Sequence, residues 1–307
     1  MLLFWILFNL FVLVMLALDL GVFHRRTHVI RFKEAIGWSA FWVLLAGGFA
    51  VLVMFWQGQQ KALEFTTGYL IEESLSVDNL FVFLMLFRYF RVDPKYQHKV
   101  LFWGIVGALV ARGIFIATGV ALINQFHWII YVFGAFLIYT GLKMLKPMDT
   151  DIHPERGPVL RLARRYLRFS HEYDDGKFFT LQDGKRLATP LFLVLLAVET
   201  TDILFAVDSI PAILAITSDP FIVYTSNVFA ILGLRSLYFA LAGMMEVFRF
   251  LHYGLAAILI FIGGKMVGSN YLEVPIVVAL GVVAGLLALS VVASLLFPKH
   301  KQRTQPS

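Results

Sequence analysis

The amino-acid sequence predicts an all-α, polytopic membrane protein of about nine transmembrane helices, six of them forming an inverted 3+3 repeat. Three observations carry that prediction. Of the 307 residues, 59% are hydrophobic and 15% charged, against about 25% charged in a soluble domain, so an ordinary soluble fold is excluded. Nine apolar runs punctuate the chain; at about 20 residues per span they need roughly 180 residues, which this composition supplies. An acidic signature occurs once in each half.

The runs lie at 2–22, 35–56, 63–87, 100–123, 128–145, 190–216, 221–247, 252–270 and 273–297. The connection after the first carries Arg25, Arg26, Arg31 and Lys33, the next only Lys61, and the one after the third span Arg88, Arg91, Lys95 and Lys99. The fourth connection has no Lys or Arg, segment 146–189 is basic, TSDP at 217–220 is not, Arg249 follows the seventh span, and the tail reads KHKQR. Basic connections therefore alternate with neutral ones. Because basic residues stay on the cytoplasmic side, the N-terminus is expected in the periplasm and the C-terminus in the cytoplasm of an inner-membrane protein. This placement accounts for the net charge of +6 without a nucleic-acid partner. No basic n-region precedes the first run and Asp19 sits near its end, which argues against a cleaved signal peptide.

These boundaries divide the chain into an N-terminal two-helix addition (1–62), a first repeat (63–147), a cytoplasmic loop (148–189), a second, inverted repeat (190–270) and a C-terminal helix with its tail (271–307). Within the loop, RLARRYLRFS predicts a short basic helix, and KFFTLQDGKRLA alternates around Asp-Gly, which predicts a hairpin. The loop is expected to touch anionic headgroups and to be the place for a protein partner; His153 and His171 on it read as solvated.

The repeat rests on three landmarks in one order. Ile71 to Asn79 aligns with Thr201 to Ser209, matching Glu72 to Asp202, Asp78 to Asp208 and Asn79 to Ser209. Arg112 then corresponds to Arg235, and FLIYTGLKM at 136–144 to ILIFIGGKM at 258–266, which aligns Lys143 with Lys265. Each unit holds three spans, and an odd number reverses the second against the first. Architectures of this kind are typical of secondary transporters, with sites near the midplane at the repeat interface.

Ionisable residues inside spans cost at least about 2.5–3.5 kcal/mol each on insertion scales and mark function by default. Glu72, Asp78, Asp202 and Asp208 lie in the middle portions of the third and sixth spans, with Glu73 and Glu199 close by and Arg112 and Arg235 as cationic partners. Six acids against two arginines leave a negative layer that a metal cation or protons must offset. Pairing of Arg112 with Asp78 and of Arg235 with Asp208 would tie helices together. Glu73 is expected to face away from Glu72, and Asp19 to cap the first helix or bind the adjacent basic loop. At 100° per residue, Glu72 and Asn79 share a face, as do Asp202 and Ser209, but one straight helix cannot bring Glu72 and Asp78 onto one ion. Ligands must come from both repeats or from an unwound segment. Pro211 predicts such a break, freeing the carbonyl of Val207.

The ligand types narrow the cargo. There is no cysteine, and all eight histidines fall in connections, tails or helix ends, so the membrane site is expected to be built of oxygen. The candidate metal ligands are Glu72, Asp78, Asn79, Glu199, Asp202, Asp208 and Ser209, a set suited to Mg²⁺, Ca²⁺ or Mn²⁺. Met54, Met85, Met244 and Met245 read as packing, and the thirty phenylalanines as lipid-facing bulk. No prosthetic group is implied, and no nucleophile–base pair, nucleotide motif or protease signature points to an enzyme.

The blocks EESLSVDNLFVF, TPLFLVLLAVETTDILFAVDSIPAILAIT and SNVFAILGLRSLYF, with ALDLGVFHRR at 17–26, resemble the TerC family of integral membrane proteins, in its Alx-like branch, over nearly the whole chain. The resemblance implies a bacterial inner-membrane location and a part in metal homeostasis, chiefly Mn²⁺ export, with links to tellurite resistance and redox modulation. The residues that match the family's two acidic signatures are Glu72, Asp78, Asn79, Asp202, Asp208 and Ser209. The expected function is an alternating-access divalent-cation exporter, with proton coupling at the same carboxylates. A membrane scaffold or assembly factor docking partners through 148–189 is the other reading, and deleting that loop while keeping the helices separates the two.

Overall fold

A computed structural model describes residues 2–23, 32–145, 157–170, 173–182, 184–242, 250–271 and 274–296. The helices are α1 Leu2–Phe23, α2 Phe32–Gln57, α3 Gln59–Tyr89, α4 Pro94–Gln125, α5 Ile129–Met144, α6 Pro158–Tyr166, α7 Pro190–Leu214, α8 Pro220–Ala242, α9 Leu251–Val267 and α10 Ile276–Leu296. The fold is all-α apart from one small hairpin, and each apolar run coincides with a helix. Among the described residues α2, α4, α7, α8 and α10 are long and apolar enough to cross a membrane. The apolar stretches of α1, α5 and α9 are shorter. Helix α3 is longer than any of these except α4, but Glu64, Glu72, Glu73 and Asp78 interrupt its apolar face.

Local chemistry sets the boundaries. A single residue, Gly58, separates α2 from α3; its φ of 93° is a conformation that glycine adopts without a Cβ clash. Asp93 caps α4, accepting from the Lys95 amide at 3.0 Å with Pro94 in the first turn. Asp219 and Pro220 repeat the device at α8, where the Asp219 carboxylate accepts from the Phe221 amide at 3.0 Å.

Burial sorts the helices by depth in the bundle. Only 17% of the membrane-length windows of α2 and α10 is buried, and the outward leucines, valines and phenylalanines would be intolerable in water. Helix α8 is 89% buried over the same length, so it is the central helix. A helix that sees protein on all sides can carry Thr225, Ser226, Asn227, Arg235 and Ser236, all of them buried. The phenylalanines depart from the lipid-facing expectation. Phe8, Phe65, Phe221 and Phe229 are interior and, with Phe49, stack α1 and α2 onto α3 and α8. Buried planar rings fill the wide gap beside the small residues of α8 at little conformational cost. Met54 and Met85 are 42% and 38% exposed, on the outer surface, whereas Met244 and Met245 lie outside the described residues.

The helices that correspond in the two sequence units meet as antiparallel pairs. The start of α3 meets the end of α7 through a bond from the Thr217 hydroxyl to Glu64, and Leu80 to Phe87 share a core with Leu191 to Val198. In α5 and α9 the register is reciprocal. A Cβ on Gly263 would lie 2.6 Å from the Gly134 carbonyl and 2.8 Å from Ile138, and one on Gly141 would lie 2.8 Å from the Ala256 carbonyl and 2.7 Å from Ile260. The same pair of contacts thus occurs twice, displaced by one alignment offset.

One further expectation, a break at Pro211, is revised. Helix α7 runs through Pro211 to Leu214 without unwinding. The proline sits in the last turn, where the loss of one amide donor is tolerated and Ala215 still donates to its carbonyl at 3.1 Å. The described part of the 148–189 loop is a folded cap. Helix α6 and the antiparallel hairpin β1 Phe179–Gln182 with β2 Lys185–Ala188 match the predicted short helix and turn. The cap docks on the α3–α4 connection and the start of α4: Tyr173 donates to the Phe90 carbonyl at 2.5 Å, Lys99 of α4 donates to the Gly176 carbonyl at 2.8 Å, and Leu160 of α6 enters the core. His153 and His171 lie outside the described residues.

Candidate functional site

Four helices bring a buried network to the centre of the bundle. From α4, Arg112 forms an ion pair with Glu72 of α3 through its Nη1, which also donates to Ser209 Oγ of α7 at 3.1 Å and to Asn227 Oδ1 of α8 at 2.5 Å. Glu72 and Asn227 are 0% exposed, Ser209 2% and Arg112 4%. The Asn227 amide nitrogen donates to the Val223 carbonyl at 3.2 Å, which turns its oxygen toward the guanidinium. Asp202, also buried, interacts electrostatically with both Arg112 and Glu72. Asn79, on one face with Glu72 of α3, is buried, and so is Arg235 on α8. The carboxylates of both sequence units therefore lie around one cation.

The pairing differs from the one expected. Arg112 holds Glu72, not Asp78, because six residues carry Asp78 about 9 Å along α3 and roughly 240° around it. Asp78 turns instead to α9, where its carboxylate lies 3.1 Å from His252 Nδ1; His252 Nε2 is 2.5 Å from the Met144 carbonyl oxygen at the end of α5. A histidine at a helix end thus joins an acidic position that the sequence places among oxygens alone. Asp208 of α7 accepts from Thr140 of α5 at 3.3 Å. Asp208 adjoins Ser209 on α7 and so lies at the level of the network, whereas Asp78 lies further along α3; both reach the last turns of α5, at Thr140 and, through His252, at Met144.

The remaining candidates separate. Glu199 is one turn from Asp202, interacts with it electrostatically, and rests its carboxylate against Gly107 of α4. Glu73 turns toward the Tyr69 hydroxyl and Gly233 of α8 while still interacting electrostatically with Glu72. The Asp19 side chain lies outside the described residues. Among the described residues, no three His, Asp or Glu side chains converge in a way that could hold a metal ion. Any cation bound at the centre must therefore draw on hydroxyl and amide oxygens as well as carboxylates.

A second polar group lies at the other end of α3. Lys61 bonds Glu64 at 2.8 Å and Asp219 at 3.3 Å, and the Thr217 hydroxyl donates to Glu64 at 2.5 Å. A cavity of about 410 Å³ lined by Lys61, Asp219, Trp5 and Phe221 opens beside it. This group is absent from the sequence reading, as are Asn227, His252 and Thr140. Asn227 had a signal, an amide inside an apolar span eight residues before Arg235.

A bundle that covers itself in aliphatic side chains and buries carboxylates, an amide and guanidinium groups at its centre is a polytopic integral membrane protein with a charged interior. Residues 57–303 match the family described as integral membrane protein TerC family, and the chain belongs to that family. It is 55% identical to "Uncharacterized membrane protein STKORF319" of Myxococcus xanthus, over 96% of this chain and 93% of that one. It is 49% identical to "Putative membrane-bound redox modulator Alx" of Escherichia coli K12, over 92% of this chain and 91% of the relative. The Salmonella typhi protein of the same name is also 49% identical, over 93% and 91%. These values support the Alx-like branch. No solved structure matches the chain.

Proposed function

We propose that this chain is a divalent-cation transporter of the bacterial inner membrane, with Mn²⁺ as cargo, working by alternating access between two inverted three-helix units. The observation that carries the reading is the convergence of Glu72, Ser209 and Asn227, from three helices and both units, at one buried point beside Asp202. Carboxylate, hydroxyl and amide oxygens are what a hard cation takes in exchange for water. The antiparallel pairing of α3 with α7 and the reciprocal α5–α9 register support an inverted repeat, in which one unit rocks against the other. Nine crossings, with the N-terminus periplasmic and the C-terminus cytoplasmic, follow from the alternation of basic connections; export and Mn²⁺ follow from the family resemblance. Asp208, beside Ser209, and Asp78, further along α3, then become the acids that pass the ion to and from the centre.

The redox name of the relatives has no thiol to act through here, since the chain has no cysteine. The scaffold reading is supported by Leu162, Tyr166 and Leu181, which stand exposed on the cap. Transport is tested with the purified chain in proteoliposomes. Asp78→Asn and Asp208→Asn are each expected to lower Mn²⁺ flux at least tenfold; wild-type flux in both variants would sink the assignment of these acids.

A further inference from the structure

We propose that Arg112 is a tethered stand-in for the transported ion: its guanidinium holds the Glu72, Ser209 and Asn227 oxygens together, and a divalent cation loads by displacing it. The inference rests on the transporter reading and adds a part that the acids alone do not supply.

Three features lead to it. A single nitrogen, Nη1, is where all three oxygens meet, so the guanidinium marks the point at which this fold concentrates negative potential from α3, α7 and α8. The contact is also incomplete on both sides. Glu72 Oε2 and Arg112 Nε are buried and have no hydrogen-bond partner among the described residues. A pair selected only to fasten helices would use the guanidinium fork on both carboxylate oxygens, which is the stronger geometry. Here one carboxylate oxygen remains free to bind a second group, although the residue is entirely enclosed.

The third feature is where the cation originates. Arg112 belongs to α4, whereas the oxygens belong to α3, α7 and α8, so the charge can leave without any of those helices moving. Arginine does not lose its proton, and its long stem lets the charge shift by rotamer change. Glu199, one turn from Asp202 on α7 and resting against α4 at Gly107, supplies a second carboxylate toward which the displaced guanidinium can turn. A tethered cation has two consequences for a carrier. The acids need not take up protons for the ion-free chain to reset, and the ion must outcompete an internal rival, which weakens its binding enough for release.

The test is Mn²⁺ binding to the purified full chain in detergent, read from the loss of the six-line electron paramagnetic resonance signal of free Mn²⁺. Arg112→Gln removes the rival and is expected to lower the Kd for Mn²⁺ about tenfold while slowing flux in proteoliposomes, because release becomes harder. Arg112→Lys keeps a cationic rival and is expected to bind Mn²⁺ more weakly than Arg112→Gln; equal tightening in both variants would mean that charge is not what competes. Unchanged or weaker binding in a folded Arg112→Gln chain would overturn the inference and leave the transporter reading standing. A wild-type chain that neither binds nor moves Mn²⁺ would overturn both. If Arg112→Gln does not fold, the structure of the wild-type chain with Mn²⁺ decides: an ion in the place of Nη1 with the guanidinium off Glu72 supports the proposal, and an intact Arg112–Glu72 pair with the ion elsewhere overturns it.

Discussion

Glu72→Gln is expected to destabilise the fold by about 3 kcal/mol, more than Arg112→Gln does, although the two residues form one ion pair. Removing one partner of a buried pair costs about 3–5 kcal/mol because the other charge is stranded. The two halves of this pair are not equivalent in that respect. A carboxyl can be buried as the neutral acid, whereas a guanidinium cannot give up its proton. Glutamine at position 72 keeps an acceptor for Arg112 but leaves its charge facing Asp202 alone, so the penalty falls near the lower end of that range. Glutamine at position 112 leaves carboxyls only, at a cost of about 1–2 kcal/mol for the lost hydrogen bonds. The double variant, with an amide facing an amide, should recover most of the loss. Unfolding in detergent ranks them, and a Glu72→Gln chain as stable as Arg112→Gln would mean that the pair carries little charge interaction.

Gly263→Val is expected to part α5 from α9 and to destabilise by at least about 3 kcal/mol, the upper end for forcing atoms into a packed interior. The atom its Cβ would meet is the Gly134 carbonyl oxygen at 2.6 Å, part of a helix backbone that cannot retreat alone. Helices in a membrane associate through such small-residue contacts because lipid supplies little hydrophobic drive between them. The neighbouring glycine is the control. A Cβ on Gly264 meets nothing within 4 Å, so Gly264→Ala should be neutral or slightly stabilising. Equal effects at the two positions would contradict the close crossing.

Much of this architecture is legible in the chain because its causes are local. Apolar runs specify helices, Asp-Pro and Gly mark their ends, and the doubled signature with Arg112 and Arg235 points to the centre of the bundle. What is not legible depends on how each helix is rotated against the next. The 240° between Glu72 and Asp78 is implicit in the sequence, but which of them meets Arg112 is decided by the way α3 lies against α8 and α4. The Asp78–His252 contact spans 174 residues and has no sequence pattern behind it. Asn227 is overlooked because one amide in an apolar span resembles packing until the helix is known to be central. The phenylalanines are misplaced for a related reason: hydropathy does not distinguish lipid from a protein interior that is equally apolar.

In the proposed transporter, acids of both units, with Ser209 and Asn227, bind a divalent cation between α3 and α7. Anomalous scattering from crystals soaked with Mn²⁺ tests it most directly. The expected result is a peak within coordination distance of Glu72, Ser209 and Asn227, beside Asp202, that disappears in the Glu72→Gln chain. A Mn²⁺-saturated crystal with no peak between α3 and α7, or with its ion only at exposed carboxylates, would contradict it.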